Sequence, residues 1–331
     1  MTHCVRISGS MATTLLRSSL RPARTPPIMI MKHFSTQPNL PQLPVPPLQT
    51  TLEKYLRTVR PLVTNEEFNI TKSLVLNFGS PGGVGEKLQS LLQKKAKETD
   101  NWLAEWWLNI AYLDYRLPVT VYSSPGLVFP LQKFSSTEDK LNYAAKMIAG
   151  ALDYKQLLDR HAIPEEKLGK DPVDMSQYYK IFGTCRIPGN NRDELHFADP
   201  SNPPKHIIVS HNNHFFKVTV LKDNGEPLSW KTFLQQLREV LEQSVHPGPP
   251  IGILTSENRG TWAKAYSKLS KDPQNRDSLK TIEKSLFLIC IDGPNPDLGN
   301  VNFQTEAALT TVHGNGSQGN TGNRWFDKTV Q

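Results

Sequence analysis

The sequence predicts an α/β protein in which a mixed β-sheet is covered by helices. Helical patterns, such as residues 138–160 and 231–243, alternate with short apolar stretches of strand length, such as residues 285–291. These elements interleave without a regular repeat, which favours a mixed sheet. A composition of 37% hydrophobic and 21% charged residues is typical of a globular protein, and 331 residues allow about two domains.

The amino-terminal part of the fold changes directly from a proline-rich run into helix. The run LPQLPVPPL at residues 40–48 holds the backbone extended, so helix begins only after its prolines. Apolar residues at helical spacing then predict three helices, at residues 48–60, 65–77 and 84–98. We expect residues 39–100 to form an amino-terminal helical segment.

The positive charge of the chain is concentrated before these helices. The first 52 residues hold five Lys or Arg and no Asp or Glu, which leaves +2 of the formal +7 for residues 53–331. So small a charge on the folded part argues against a nucleic-acid-binding protein. Arginines spaced through Ser, Thr and Leu are typical of a mitochondrial transit peptide, which we expect at residues 1–38 as a disordered segment. No apolar run is long enough to span a membrane.

Residues 101–116, NWLAEWWLNIAYLDYR, are the densest aromatic segment and are predicted to be helical. Trp102, Trp106 and Trp107 lie within this helix. Burial of a large apolar side chain contributes about 1.5 to 3 kcal/mol, so core packing alone would account for the three tryptophans. A binding role for the segment stays open beside that interpretation.

The remaining elements follow in chain order. Residues 119–122 are predicted to be a strand, residues 138–160 a long helix, and residues 176–182 a short helical piece. Strands at residues 207–210 and 215–221 flank His211-Asn-Asn-His214, and adjacent asparagines favour the left-handed turn of a hairpin. The later elements are a helix at 231–243, a strand at 251–255, helices at 262–269 and 278–284, and a strand at 285–291.

Two short motifs resemble functional sites but are better explained structurally. Gly314-x-Gly316-x-x-Gly319 has the spacing of a dinucleotide-binding loop, but no strand pattern precedes it, so we expect a glycine-rich loop. His211 and His214 flank a tight turn with no nearby carboxylate or thiol, and the three cysteines are widely spaced. The sequence therefore predicts no metal site.

Three segments together resemble the choline/carnitine acyltransferase family. They are the Leu-Pro-x-Leu-Pro-x-Pro-x-Leu run, the Trp-Trp-Leu helix at residues 106–113, and NTGNRWFDKTV at residues 320–330. The resemblance covers residues 40–331, which correspond to the first half of a family polypeptide. It implies that Trp107 and Tyr112 contact the carnitine side of the substrate tunnel. It also implies that the catalytic histidine lies beyond Gln331, so we expect no catalytic residue in this chain, including at His161-Ala-Ile-Pro-Glu165, which has the family's His-x-x-x-Glu spacing.

The resemblance further implies a chloramphenicol-acetyltransferase-like fold. We expect one complete domain at residues 101–331, truncated before the catalytic histidine, together with the amino-terminal helices of a second domain, on which residues 39–100 would pack. The complete enzyme would take carnitine and acyl-CoA, with acetyl-CoA as co-substrate and no tightly bound cofactor. It would be a monomer, whereas this chain alone is expected to be inactive and to self-associate.

Two interpretations of the chain remain open. The first is a fragment of a mitochondrial family member that transfers short acyl groups. The second is a short, non-catalytic isoform with a binding or regulatory role. A mitochondrial location, in the matrix or at the inner membrane, is expected in the first case, and a peroxisomal form stays possible because the resemblance ends before any carboxyl-terminal signal.

Overall fold

The computed structural model describes residues 40–124, 132–293 and 302–330, and the backbone of residues 4–7. Its helices are α1 (Leu48–Val59), α2 (Asn65–Phe78), α3 (Val84–Glu98), α4 (Ala104–Trp107), α5 (Val119–Tyr122), α6 (Thr137–Asp159), α7 (Trp230–Gln243), α8 (Arg259–Leu269), α9 (Pro273–Lys284) and α10 (Phe303–His313). Its strands are β1 (Cys4–Ile7), β2 (Lys167–Leu168), β3 (Asp171–Pro172), β4 (Cys185–Ile187), β5 (Glu194–His196), β6 (His206–His211), β7 (His214–Thr219) and β8 (Leu288–Ile291).

The chain divides into two compact units. The sheet unit comprises Met1–Pro38, Leu113–Lys167 and Val173–Gln331, and the helical unit comprises Asn39–Tyr112 and Leu168–Pro172. The aromatic residues 101–112 therefore belong with the amino-terminal helices. Among the described residues, no helix is long and apolar enough to cross a bilayer.

The sheet unit is built on a four-stranded mixed sheet in the order β1-β7-β6-β8. Strands β6 and β7 form an antiparallel hairpin, whereas β8 runs parallel to β6. At the hairpin turn, Asn212 and Asn213 have φ values of 48° and 62°, the left-handed conformation that a tight hairpin requires at both central positions. The predicted mixed α/β class and the Asn-Asn hairpin are both confirmed.

Helices cover both faces of this sheet because β6 alternates its apolar side chains between them. Ile207 and Val209 pack with Phe216 in a cluster that includes the buried residues of α6 and α7. Ile208 packs on the opposite face, in a cluster with Trp262 of α8 and with buried residues of α9. Each fully buried large side chain contributes about 1.5 to 3 kcal/mol, so the two clusters supply most of the stabilisation of this unit.

Two predicted strands are wrong. The segment Val119–Tyr122 is a short helix, and Ile251–Ser256 is a 3-10 helix. Both are short, β-branched and preceded by proline, so their pattern alone cannot distinguish a strand from a single helical turn. In the second case Thr255 Oγ1 donates to the Gly252 carbonyl at 2.7 Å, which closes the turn.

Strand β1 lies in a stretch that the sequence predicts to be disordered. Its backbone pairs antiparallel with β7, with Val5 opposite Lys217. An edge strand leaves a row of N–H and C=O groups on which a short segment can add. Residues 4–7 therefore depart from the predicted disorder, whereas residues 1–3 and 8–39 lie outside the described part. The targeting role of residues 1–38 stays a prediction.

The helical unit confirms the three predicted amino-terminal helices to within one or two residues at their ends. The extended prolines end at Pro47, and Gln89 Nε2 of α3 donates to the Pro46 carbonyl at 3.0 Å. Helix α2 begins with a capping box, in which Thr64 and Glu67 each accept a hydrogen bond from the other's backbone. Several large apolar side chains of this unit are exposed: Leu62, Ile70, Leu74, Leu76, Leu88 and Leu91.

Candidate functional site

The aromatic segment of the helical unit is not one continuous helix. Helix α4 spans four residues and continues as a π-helical turn, Leu108–Leu113. Asn101 Oδ1 caps the start of the segment, because it accepts hydrogen bonds from the backbone N–H groups of Leu103 and Ala104, both at 3.0 Å. Single π-helical turns are frequent at functional sites because they reorient the side chains around them.

Two of the three tryptophans in this segment hold the helical unit together. The indole N–H of Trp102 donates to the Leu43 carbonyl at 3.2 Å, and its ring meets that of Trp106 edge to face at 6.3 Å. The ammonium group of Lys95 lies 5.0 Å from the Trp106 ring centre, in cation–π geometry. Trp102 therefore fastens the segment to the proline-rich run, as a structural interpretation would require.

Of the two residues predicted to contact substrate, Trp107 is the last residue of α4 and Tyr112 lies in the π-helical turn. Trp107 is 60% exposed and Tyr112 is 36% exposed. Trp106 is also 43% exposed, so the interpretation of all three tryptophans as buried core is wrong for this chain. The large exposed surface of Trp107 is open to a ligand or to another protein surface.

The second candidate segment, residues 320–330, lies in the core of the sheet unit. The ring of Trp325 meets those of Phe215 and Trp262 edge to face, at 5.6 and 5.8 Å. The segment enters the core through a 3-10 turn, Thr321–Asn323, and the Asn323 carbonyl accepts a 2.7 Å hydrogen bond from Ser210 of β6. This segment is therefore part of the packing of the sheet unit.

A fully buried carboxylate, that of Asp193, organises the surroundings of this segment. Its oxygens accept hydrogen bonds from Arg186 Nε and Arg259 Nε, both at 2.6 Å, and from Arg116 Nη2 at 2.5 Å. The backbone N–H of Asp193 donates to the Leu113 carbonyl at 3.0 Å. One side chain thus joins β4, the start of α8 and the chain that follows the aromatic segment.

Asp327 extends this ionic cluster into the carboxyl-terminal segment. Its carboxylate lies 2.8 Å from Arg259 Nη2 and accepts a 2.7 Å hydrogen bond from the Trp262 indole. Its carbonyl oxygen also accepts a hydrogen bond from the backbone N–H of Arg186, at 2.7 Å. The cluster fixes the conformation of residues 325–328, but its side chains are occupied with each other and are not arranged for proton transfer to a substrate.

The neighbouring Lys328 is a buried cation at the end of helix α9. Its ammonium group donates to the carbonyls of Glu283 and Ser285, at 3.1 and 2.6 Å. Burial lowers its pKa to about 8. A cation at this position also complements the negative end of the helix dipole. Lys328 thus ties the carboxyl-terminal segment to α9.

The histidines that resemble functional sites all have local structural partners. His161 has a left-handed backbone, and its ring lies 4.9 Å from that of Tyr179. His211 Nδ1 is 2.7 Å from Ser244 Oγ, and His214 Nε2 is 2.9 Å from the His246 carbonyl. Within the parts of the chain that the structure describes, no group of His, Cys, Asp and Glu side chains is arranged to hold a metal ion.

The glycine motif follows a helix and not a strand. Gly314 adopts the left-handed conformation, with φ 72°, and ends α10. Thr321 Oγ1 donates to the carbonyl of His313 at 2.6 Å, so the loop folds back on the helix end. The helix that precedes the motif rules out the strand–loop–helix arrangement of a dinucleotide site.

Comparison with known proteins shows which family the chain belongs to. The profile of the choline/carnitine O-acyltransferase family matches residues 43–331. The chain belongs to this family. It is 47% identical over 297 residues to the carnitine O-acetyltransferase of Columba livia and 45% identical over 311 residues to that of Homo sapiens. It is 41% identical over 340 residues to the choline O-acetyltransferase of Homo sapiens.

These alignments cover unequal shares of the two chains. The Columba livia alignment covers 89% of this chain but 47% of the relative, and the human alignments cover 92% against 50% for the carnitine enzyme and 99% against 44% for the choline enzyme. The chain therefore spans about half the length of the curated choline/carnitine acyltransferases that it matches.

No sequence motif indicated Asp193 or the arginines that bind it in the buried ionic cluster of this chain. Asp193 and Arg259 are 66 positions apart, and neither belongs to a recognisable motif. A charged side chain in an otherwise apolar stretch was the only available signal, as at Arg186 beside Cys185. By contrast, the RWFDK residues that carry the family resemblance lie within the buried core that this ionic cluster supports.

Proposed function

We propose that this chain forms the amino-terminal half of a carnitine O-acetyltransferase, which transfers a short acyl group between coenzyme A and carnitine. The observation that carries the proposal is the identity of 45–47% to carnitine O-acetyltransferases across about nine-tenths of the chain. Identity to choline O-acetyltransferases is lower, at 41–43%. Carnitine is therefore the preferred acyl acceptor in this proposal.

Trp107 and Tyr112 are the proposed contacts for carnitine. Carnitine carries a quaternary ammonium and a carboxylate, and an exposed indole such as Trp107 attracts a quaternary ammonium with about 0.5 to 2 kcal/mol. The Tyr112 hydroxyl can donate a hydrogen bond to the carboxylate. The π-helical turn supports this assignment because it begins directly after Trp107 and contains Tyr112, so that both side chains lie within one short segment.

The chain alone is proposed to be inactive. The reaction needs a general base at the carnitine hydroxyl or at the thiol of coenzyme A, and such a base is usually worth about 10²- to 10⁴-fold in rate. Four histidine side chains have structural partners within the described residues: His161, His206, His211 and His214. For example, His206 Nε2 is 2.9 Å from the Thr281 carbonyl. We place the base in the part of the relatives that this chain does not cover.

The exposed apolar side chains of the helical unit favour packing against the second domain of the complete enzyme. Leu74 and Leu91 are 65% and 63% exposed, and Ile110 is 70% exposed. Large apolar side chains in such numbers on one unit are typical of a protein interface. We propose that α1, α2 and α3 pack on the second domain of the complete enzyme, which would be monomeric, and that the chain alone self-associates through them.

The location of the enzyme is proposed from its amino-terminal segment. Residues 1–38 would direct it to the mitochondrion, in the matrix or at the inner membrane, and a peroxisomal form is the alternative. Fusion of residues 1–38 to a fluorescent protein tests this assignment. Cytosolic fluorescence would contradict it.

An activity assay with a complementing half tests the function. The purified chain is incubated with acetyl-CoA and carnitine, and release of the CoA thiol is measured, with and without the co-expressed carboxyl-terminal half of the human relative. We expect turnover only with the second half, and a raised KM for carnitine in Trp107→Ala, with Trp102→Phe as the matched control. Turnover by the chain alone would contradict the placement of the base. Carnitine binding without turnover in the complemented protein would favour a non-catalytic role.

A further inference from the structure

Helices α8 and α9 carry an exposed basic surface that the proposed reaction does not use. Seven Lys or Arg and three Asp or Glu lie in residues 259–284, a formal charge of +4 in a chain whose total is +7. One of the seven, Arg259, is buried in the ionic cluster of the sheet unit. The other six are exposed and are here called the basic face: Lys264, Lys268, Lys271, Arg276, Lys280 and Lys284.

Helical spacing gathers the basic face on the outer side of one layer. In α8 and the turn that follows it, basic residues recur at 264, 268 and 271, and in α9 they recur at 276, 280 and 284. Residues three and four apart lie on the same side of a helix. The opposite sides of both helices pack into one cluster on the sheet, through Trp262 of α8 and Leu279 of α9. Both basic rows therefore face away from the same sheet surface.

No salt bridge pairs the charges of this face within the described chain, although Lys280 and Lys284 attract the carboxylate of Glu283. None of the six side chains has an ion pair within 4.0 Å in the described residues, and Asp277 is the one exposed acidic side chain in residues 259–284. The helices on the other face of the sheet, α6 and α7, hold five basic and six acidic residues. Solubility alone would not require one helical layer to carry an excess of positive charge while the other layer of the same unit is nearly neutral.

We propose that the basic face docks the protein on the surface of an anionic phospholipid bilayer. Five of its six residues are lysines, whose strongly hydrated point charges suit diffuse attraction to lipid headgroups better than the planar, bidentate contacts of arginine. A single-stranded nucleic acid would in addition require exposed aromatic rings for base stacking. In α8 and α9, Trp262 is buried and Tyr266 is half-buried and donates to Glu283 at 2.5 Å.

Vesicle flotation with charge-reversal variants tests the proposal. The probes are vesicles of phosphatidylcholine with and without phosphatidylglycerol. The test variant is Lys268→Glu with Lys280→Glu, and the matched control is Lys146→Glu with Lys231→Glu, two exposed lysines of α6 and α7. Both double variants change the formal charge of the whole chain by the same amount. Any difference between them therefore reports on the basic face and not on net charge.

We expect the unchanged chain to bind the anionic vesicles, and added salt to release it. Each lysine close to such a surface is worth about fivefold in partitioning, so the test variant should bind about 25-fold or more weakly. The control variant should bind within about fivefold of the unchanged chain. Equal circular dichroism spectra for the three proteins ensure that the comparison is between folded chains.

Three results would overturn the proposal. Equal weakening in the two double variants would assign binding to net charge. Undiminished binding of the test variant would assign it to the basic amino-terminal segment or to the exposed apolar helices. Tighter binding to a duplex DNA oligonucleotide than to the vesicles, lost in the same variant, would identify the surface as a nucleic-acid site.

Discussion

Replacement of Asp193 by Asn should destabilise the sheet unit more than any other single loss of charge in the described chain. The side chain of Asp193 is fully buried and accepts hydrogen bonds from three guanidinium groups. In Asp193→Asn the negative charge disappears while Arg186 and Arg259 remain buried. Only one of the two terminal atoms of the new amide can accept a hydrogen bond. The other atom is an NH₂ donor, and it would face guanidinium N–H groups that are also donors.

The expected cost follows from the burial of the partners. Removal of one member of a buried ion pair typically costs about 3 to 5 kcal/mol, because the remaining charge is left uncompensated away from water. Typical domains are stable by about 5 to 15 kcal/mol, so a large part of the stability of the sheet unit would be lost. Asn retains the shape of Asp, so the loss would come from charge and hydrogen bonding and not from a cavity.

Urea denaturation, followed by near-ultraviolet circular dichroism of the buried tryptophans, measures this loss. Trp262 and Trp325 lie in contact beside the cluster and report on the sheet unit. The matched control is Asp114→Asn, which removes a two-bonded pair with Arg192 at the surface, where both side chains are partly exposed. The control should barely shift the midpoint. A shift in Asp193→Asn no larger than that of the control would refute the reasoning.

Three further predictions concern a buried histidine, a helix cap and a glycine. Burial lowers the pKa of His206 from 6.5 to about 4, so its contribution of about 3 kcal/mol should be complete above pH 6.5 and disappear as the pH falls to about 4. Thr64→Ala removes the capping box with Glu67 and should destabilise α2 by about 1 kcal/mol, measured as a lower helix content on heating. Gly252→Ala places a methyl group against the Arg324 carbonyl and should lower stability by about 1 to 3 kcal/mol in urea denaturation.

Each of these predictions has a control within the chain. His206→Gln should flatten the loss of stability between pH 6.5 and 4, and an unchanged pH dependence would assign the loss to other groups. Thr64→Ser keeps the capping hydroxyl and should restore the helix content. Gly150→Ala in α6, where the added methyl group meets nothing within 4 Å, should stabilise the chain by about 0.5 to 1 kcal/mol. Equal effects at Gly150 and Gly252 would contradict the steric argument.

Local patterns predicted the regular elements of this fold well. Helices α2, α3, α6 and α7 end within one or two residues of their predicted bounds, because their apolar periodicity runs over three or more turns. The hairpin was also predictable, since two adjacent asparagines tolerate the left-handed turn. Such signals depend only on residues that are close together in the chain, so they can be recognised without knowledge of the tertiary structure.

Interactions between distant parts of the chain could not be predicted in this way. The segment Ile251–Ser256 has the composition of a strand, yet the Thr255 hydroxyl accepts a hydrogen bond from the backbone of Phe326 at 3.0 Å, 71 residues further on. That contact and the close approach to Gly322 hold the segment as a 3-10 turn. The ionic cluster around Asp193 has the same origin, because its members meet only after the sheet and α8 are in place.

The RWFDK residues, which carry the resemblance to the family, are buried in the core and are therefore distinct from the residues proposed to contact substrate. Trp325 fills the core beside Trp262, Asp327 accepts a hydrogen bond from the same indole, and Lys328 closes the end of α9. Each of these residues is constrained by shape, charge or hydrogen bonding within the sheet unit. The motif therefore identifies the family because its packing requires these residue types. The proposed substrate contacts are instead exposed residues such as Trp107, which packing leaves unconstrained, so binding has to be tested there by substitution.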